Sequence, residues 1–390
     1  MTDHLADEQF LKHALELAEK GVGLASPNPN VGAVIVDSGG KIAGTGTYTY
    51  DGVKHAEVLA LEQAGSKARG GTLYINLEPH AHQGRTPPCT DALIAAGIRR
   101  VVTCMADPNP KVSGLGFEKL RAAAVQVEVG RFENEARHLN ETFARYIRHG
   151  VPLVTLKSAM TLDGKIAPPP NLALPKKRGT PAGGWLTGEA ARAHVQELRH
   201  QSDAILVGIG TILADDPVLT DRSGKIRRRP LLRVVLDSHL RLTLGSRLVQ
   251  TARRENARES DVLVFCSSAE EDKKRALEDA GIRVERISDS SLNSGLDLQT
   301  VLQRMGQLEI TSLLIEGGST VNGAALAASV VDKLFLYYAP KIMALVGAVP
   351  FACGSALDNR DEVLRLKQVQ LHRFGEDVAI EGYLRDPYLD

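Results

Sequence analysis

Apolar positions along this chain recur with two periods, and the periods alternate. From Asp7 to Gly21 they fall every three or four residues, with Leu11, Ala14, Leu15 and Ala18 on one face, which predicts an amphipathic helix stopped by glycine. Val31–Val36 is a short apolar run bounded by turn formers, hence a buried strand. The turn at 37–40 returns the chain as a second strand over Lys41–Thr47. Helices are expected over Ala56–Ala64, Thr90–Ala96, Leu115–Ala124 and Asn134–His149, and strands over Thr72–Leu77, Arg100–Ala106 and Val125–Val129. Gly150, Val151 and Pro152 then stop the pattern, which predicts a boundary near Gly150 between units 1–150 and 151–390. Beyond it, strands are expected at Leu153–Ser158, Ala204–Thr211, Leu232–Asp237, Val262–Cys266 and Arg283–Ile287. Helices are expected at Glu189–Gln201, Glu270–Ala280 and Leu298–Leu308. Ser312–Thr320 reads as strand, Gly-Gly, helix, and Lys333–Met343 and Val363–Leu371 read as closing strands. Strands alternating with helices imply layered α/β domains.

Composition narrows the function classes. At 390 residues two domains are the better expectation, and 43% apolar with 24% charged residues is ordinary for a globular protein. Lys plus Arg equals Asp plus Glu at 47 each, which argues against a nucleic-acid coat or a membrane-surface protein. No apolar run reaches the ~18 residues of a transmembrane helix. The start MTDHLADEQF shows no leader pattern, and the four cysteines, Cys89, Cys104, Cys266 and Cys353, are far apart. A reduced, cytoplasmic protein is expected.

The chemistry gathers between His55 and Cys89. His55-Ala-Glu57 opens one helix and Pro87-Pro-Cys89 opens another. Zinc deaminases of nucleobases carry His-x-Glu followed by Pro-Cys-x-x-Cys; the zinc activates a water and the glutamate moves protons. Two helix starts bearing His55 and Cys89 could share one metal, with a third ligand from the loop between. His80 directly follows Glu78-Pro79, and His82 is its competitor two residues on.

At this point the chain resembles a family. Pro27-Asn-Pro-Asn-Val-Gly-Ala-Val34, His55-Ala-Glu57, Leu77-Glu-Pro79, His82-Gln-Gly-Arg-Thr-Pro-Pro-Cys89 and Asp107-Pro-Asn-Pro110 look like the bifunctional riboflavin-biosynthesis deaminase–reductases. The resemblance implies a cytidine-deaminase-like three-layer domain followed by a dihydrofolate-reductase-like α/β domain. It implies zinc-dependent hydrolysis of a pyrimidine ring amine, then NADPH reduction of a ribosyl group to ribityl. His55 and Cys89 become zinc ligands and Glu57 the proton carrier. The family has Glu-Pro-Cys-Ser-His where this chain has Glu78-Pro-His-Ala-His82. Three readings stand: His80 binds zinc in place of the thiolate, His82 is recruited, or the first domain is a metal-free structural module and only the reductase works. The first is preferred, because imidazole is an ordinary zinc ligand.

In the second half, Lys157-Ser-Ala-Met-Thr-Leu-Asp-Gly-Lys-Ile-Ala167 resembles the opening of the family's reductase, and Pro168–Gly184 reads as a solvated Pro/Gly-rich insertion. The Gly-x-Gly of 208–210 is weak evidence alone, and the Gly-Gly of 317–318 before a helix could cradle a phosphate. By resemblance, Met160, Trp185, Thr211, Asp215, Ser238 and Gly318, Ser319, Thr320, Val321, Asn322, Gly323 and Ala324 match NADPH-contacting positions. Gly183, Arg199, Leu219, Arg222 and Glu316 match substrate-contacting ones. Two guanidinium groups suit a substrate phosphate. The implied partners are a small phosphoribosyl-pyrimidine and further copies of the chain, as a dimer or tetramer, and neither nucleic acid nor membrane.

Overall fold

The computed structural model describes residues 2–84, 87–172, 184–252, 260–289, 295–354 and 363–389. The chain divides into two compact units. One is Met1–Gly150 with Ile226–Arg229; the other is Val151–Lys225 with Pro230–Leu389.

The first unit runs α1 (Thr2–Glu19), β1 (Gly32–Val36), β2 (Ile42–Thr47), α2 (Ala56–Ala64), β3 (Thr72–Leu77), α3 (Cys89–Ala96), β4 (Arg100–Met105), α4 (Leu115–Ala122), β5 (Gln126–Val129), α5 (Glu133–Leu139) and α6 (Glu141–His149). Its sheet has the order β2-β1-β3-β4-β5, antiparallel across β2-β1-β3 and parallel across β3-β4-β5. Alternate strand residues face opposite layers. Ile35, Ile75 and Val101 pack with Ala56, Ala60 and Ala64 of α2, Leu93 of α3 and Leu120 of α4. The other face takes α1, where the Phe10 ring lies 5.1 Å from that of Tyr74. The Tyr74 hydroxyl donates to Asp7 at 2.6 Å. A Cβ at Gly46 would stand 2.1 Å from the Ala56 carbonyl oxygen. Only glycine there lets β2 press against the start of α2, which carries His55 and Glu57.

One expected element differs. The helix expected over Asn134–His149 is two helices, broken at Asn140. Asn140 Oδ1 accepts from the Asn30 amide at 2.8 Å, and its Nδ2 donates to the Asn30 carbonyl at 3.1 Å. Those bonds tie the break to the loop before β1.

The second unit runs β6 (Leu153–Thr161), β7 (Lys165–Ala167), α7 (Glu189–Gln201), β8 (Ala204–Gly208), α8 (Ile209–Asp215), β9 (Leu232–Leu236), α9 (Arg247–Gln250), β10 (Val262–Cys266), α10 (Glu271–Asp279), β11 (Arg283–Arg286), α11 (Leu298–Gln307), β12 (Ser312–Ile315), α12 (Ser319–Ala327), β13 (Lys333–Ala339), β14 (Val349–Pro350), β15 (Lys367–Phe374) and β16 (Asp377–Tyr383). The main sheet orders as β11-β10-β9-β8-β12-β6-β13-β16-β15. It is parallel from β11 to β13, and β16 and β15 close one edge antiparallel. One face buries Leu206, Val234, Leu263 and Leu313 under α11 and α12; the other buries Ile205, Val207, Val235 and Val264 under α8, α9 and α10. Three expectations shift. The strand expected to reach Thr211 ends at Gly208, where α8 begins. The last closing strand is Lys367–Phe374 rather than Val363–Leu371. A further strand, β16, follows it.

Candidate active sites

In the first unit four side chains converge. His55 Nδ1 or Nε2, a Glu57 carboxylate oxygen, a His80 ring nitrogen and Cys89 Sγ all lie within 4.8 Å of one another. His55 is the N-cap of α2 with extended backbone, and its side chain makes no capping bond, so the ring turns into the site. Glu57 sits in the first turn and is only 3% exposed. Cys89, the first residue of α3, is fully buried.

The loop after β3 is pinned by a buried carboxylate that the sequence analysis named only within the Leu77-Glu-Pro79 motif. Glu78 Oε1 accepts from the Gly116 and Phe117 amides, and Oε2 from those of Asp107 and Gly114, between 2.8 and 3.4 Å. Two residues on, the His80 carbonyl accepts from the Thr90 amide at 3.3 Å, which ties the loop to the first turn of α3. The His80 ring then stands 4.4 Å from that of His55, centroid to centroid. His82 lies edge-on to His80 at 5.3 Å and is not one of the four converging residues. The Tyr48 ring, 5.4 Å from His55, forms another wall, and its hydroxyl accepts from Asn28 Nδ2 at 2.6 Å.

The donor chemistry suits a divalent cation. Burial pushes the Cys89 thiol well above the ordinary range, and the Glu57 charge and hydrogen bond push it further. Glu57 Oε2 is buried with no hydrogen-bond partner among the described residues. A buried thiol beside a buried carboxylate is costly unless a positive ion joins them. Imidazole, imidazole and thiolate with one position left for water is a catalytic zinc set.

In the second unit a cavity of about 1800 Å³ opens at the C-terminal ends of β8, β9 and β12. That is where parallel α/β sheets bind ligands. Its size exceeds the ~300–1,000 Å³ of a typical single-ligand pocket. Of the expected cofactor positions, Trp185, Thr211, Asp215, Ser238, Gly318, Ser319, Thr320, Val321 and Ala324 line it. Thr211 and Asp215 belong to α8, four residues apart and so on one face. Met160, Asn322 and Gly323 are not among its lining residues. Met160 lies in the core, and Asn322 Nδ2 donates to the Phe351 carbonyl at 2.8 Å. At the turn into α12, a Cβ on Gly317 would come within 2.8 Å of Val321, so the turn stays tight only with glycine. Ser319 Oγ, at the start of α12, is buried without a hydrogen-bond partner among the described residues.

Of the expected substrate positions, Arg199, Leu219, Arg222 and Glu316 line the same cavity, and Gly183 lies outside the described residues. Leu219 has φ +61°, a strained value for a branched side chain. Glu316 is the hub. Arg199 Nε and Nη2 donate to it at 2.7 and 3.1 Å, and Lys157 Nζ at 3.3 Å. Burial raises its pKa, but these cations more than offset that and hold the carboxyl down at about 2. Burial and the nearby Arg199 charge lower the Arg222 pKa, which an anionic ligand would reverse. Sequence reasoning missed Lys157, although its motif was noted, and Tyr337, which also lines the cavity.

Known proteins match both units. Residues 5–105 match the family described as "Cytidine and deoxycytidylate deaminase zinc-binding region", and residues 152–380 match "RibD C-terminal domain". "Riboflavin biosynthesis protein RibD" of Aquifex aeolicus is 39% identical over 374 residues, covering 96% of this chain and 97% of its own. That of Escherichia coli is 39% identical over 387 residues, covering 96% and 99%. Among solved structures, Acinetobacter baumannii RibD aligns with TM-score 0.79 at 34% identity, covering 97% of this chain and 98% of its own. A Thermotoga maritima diaminohydroxyphosphoribosylaminopyrimidine deaminase/5-amino-6-(5-phosphoribosylamino)uracil reductase aligns with TM-score 0.77 at 35%, covering 98% and 99%.

Proposed function

The chain belongs to the RibD family of bifunctional riboflavin-biosynthesis deaminase–reductases and carries both of its domains, and from that premise we propose how its own residues divide the two reactions. The first unit hydrolyses the exocyclic amine of 2,5-diamino-6-(5-phosphoribosylamino)pyrimidin-4-one. The second reduces the ribosyl group of 5-amino-6-(5-phosphoribosylamino)uracil with NADPH.

His55, His80 and Cys89 would hold a zinc ion, which when bound would supply the Lewis acidity that makes a water nucleophilic near neutral pH. Glu57 takes one proton from the attacking water and gives it to the pyrimidine ring nitrogen, then takes the hydroxyl proton of the adduct and gives it to the departing ammonia. The convergence of His80 with His55, Glu57 and Cys89 within 4.8 Å is the observation that carries this reading, and it favours His80 over His82 as third ligand. No helix among the described residues is long and apolar enough to cross a membrane.

In the second unit the nicotinamide supplies a hydride when bound, and the protein supplies position and charge. The turn into α12 and the α8 face of Thr211 and Asp215 cradle the cofactor, while Arg199 and Arg222 receive the substrate phosphate. A homo-oligomer in the cytoplasm completes the proposal. Val369 and Leu371, exposed on the edge strand β15, offer a surface for it.

The test is a two-step assay on purified protein: ammonia release from the diaminopyrimidine, then NADPH oxidation with the aminouracil. Both are expected. NADPH oxidation without ammonia release in zinc-replete protein would reduce the first unit to a structural module.

A further inference from the structure

Behind the reductase cavity lies a pair of side chains that neither the motifs nor the ion network accounts for. Tyr337, on β13, lines the cavity and is wholly buried. Its hydroxyl is 2.6 Å from Nδ1 of His194, on α7. His194 is not part of the cavity wall, but its neighbours Ala193 and Val195 are. Its ring stacks on Phe374, centroids 4.6 Å apart and 28° between planes, and tilts against Phe335 at 5.0 Å. Aromatic contacts on two sides fix which way Nδ1 points.

We propose that Tyr337 is the proton donor of the reductase site and that His194 is the positioning residue that refills it. This rests on the reductase reading above. The reduction consumes one hydride and one proton per turnover. The C1′–O4′ bond of the ribosyl ring breaks and its electron pair stays on O4′. O4′ takes the proton from Tyr337 Oη, the phenolic oxygen takes the Nδ1 proton of His194, and the imidazole takes a solvent proton at Nε2. The iminium left at C1′ accepts the hydride of NADPH, giving the ribitylamine and NADP+. Atoms and charge balance, and His194 ends as its other neutral tautomer.

The surroundings favour this division of labour. Burial, then the Glu316 and Glu381 charges, keep Tyr337 a phenol. Burial, then the His372 charge, holds His194 below its ordinary pKa, while Glu381 and Glu197 pull the other way. A neutral pair can relay a proton without either member staying charged. Charged groups on either side of the pair are engaged in ion pairs of their own. On the cavity side, Lys157 and Arg199 are bound to Glu316. On the sheet side, Lys333 and His372 are bound to Glu381 at 2.6 and 2.7 Å.

The test compares the full-length zinc-loaded protein with Tyr337→Phe, His194→Phe and His194→Asn, following NADPH oxidation with 5-amino-6-(5-phosphoribosylamino)uracil. Tyr337→Phe is expected to lower kcat by about 10²–10⁴-fold, the range of a lost general acid, with NADPH affinity unchanged. His194→Phe keeps the stacking and removes the nitrogen, and is expected to lower kcat at least about tenfold. His194→Asn keeps a hydrogen-bonding amide near the Nδ1 position but cannot relay a proton, so it is expected to stay close to the His194→Phe rate. Unfolding midpoints separate these effects from misfolding. Tyr337→Phe within about twofold of the wild-type kcat, or His194→Asn recovering most of the His194→Phe loss, overturns the proposal. A wild-type protein that does not oxidise NADPH with this substrate overturns the reductase reading instead, and the proposal with it.

Discussion

Replacing Glu316 by glutamine tests the electrostatic hub of the reductase cavity. The carboxylate lies between Arg199 and Lys157, and its side chain is 11% exposed. These cations hold its pKa at about 2 against an ordinary 4.5, after overcoming the upward push of burial. That depression corresponds to on the order of 3 kcal/mol of folded-state stability near neutral pH. Glu316→Gln is nearly isosteric but leaves two buried cations facing an amide, and breaking a buried pair costs a similar ~3–5 kcal/mol. For a unit of this size each kcal/mol moves Tm by about 2–4 °C, so a fall of roughly 6–12 °C is expected. The chain's single tryptophan, Trp185, lies in this unit, so its fluorescence reports this unit's unfolding. The sign with pH is fixed. A depressed carboxyl contributes stability above its unfolded pKa and loses it as pH falls through the folded value. The gap between wild type and variant should therefore be full above pH 4.5 and close towards about 2. A Tm within about 2 °C of wild type near neutral pH, or a gap that widens in acid, would refute the reasoning.

Other substitutions probe the remaining roles. Glu57→Gln should lower ammonia release by about 10²–10⁴-fold while zinc content and NADPH oxidation stay as in wild type; zinc loss instead would make Glu57 a ligand. His80→Ala should cost bound zinc, measured by metal analysis after dialysis, whereas His82→Ala should keep it; the reverse pattern would move the third ligand to His82. Arg222→Gln should raise the KM for the phosphorylated aminouracil by about 10–100-fold, with NADPH affinity unaffected, since a charge-assisted contact is worth ~1.5–3 kcal/mol. An unchanged KM would take Arg222 out of the phosphate site.

Much of the candidate site was legible because its residues sit where local signals are strongest. His55 and Cys89 begin helices announced by apolar periodicity and by Pro87-Pro88, and Glu57 is two residues from His55. What was missed depends on partners distant in sequence. Tyr337 and His194 are 143 residues apart, and nothing local in either segment points to the other. Lys157, itself on the cavity wall, finds its partner Glu316 159 residues on. The break at Asn140 was hidden because apolar spacing continues across it, while its cause is a bond to Asn30, 110 residues earlier. Strand β16 was overlooked because the residues it buries include Asp377 and Glu381, which do not read as a core face. The role of Glu78 was hidden because the four amides it holds come from a loop and the first turn of α4, 29 to 39 residues later.

The most direct test of the account is zinc K-edge X-ray absorption on the purified, full-length protein. The account predicts one sulfur neighbour at about 2.3 Å and two imidazole nitrogens at about 2.0 Å, with a light oxygen neighbour in the remaining position. Purified protein that retains no zinc, or a spectrum with two sulfurs, would contradict it.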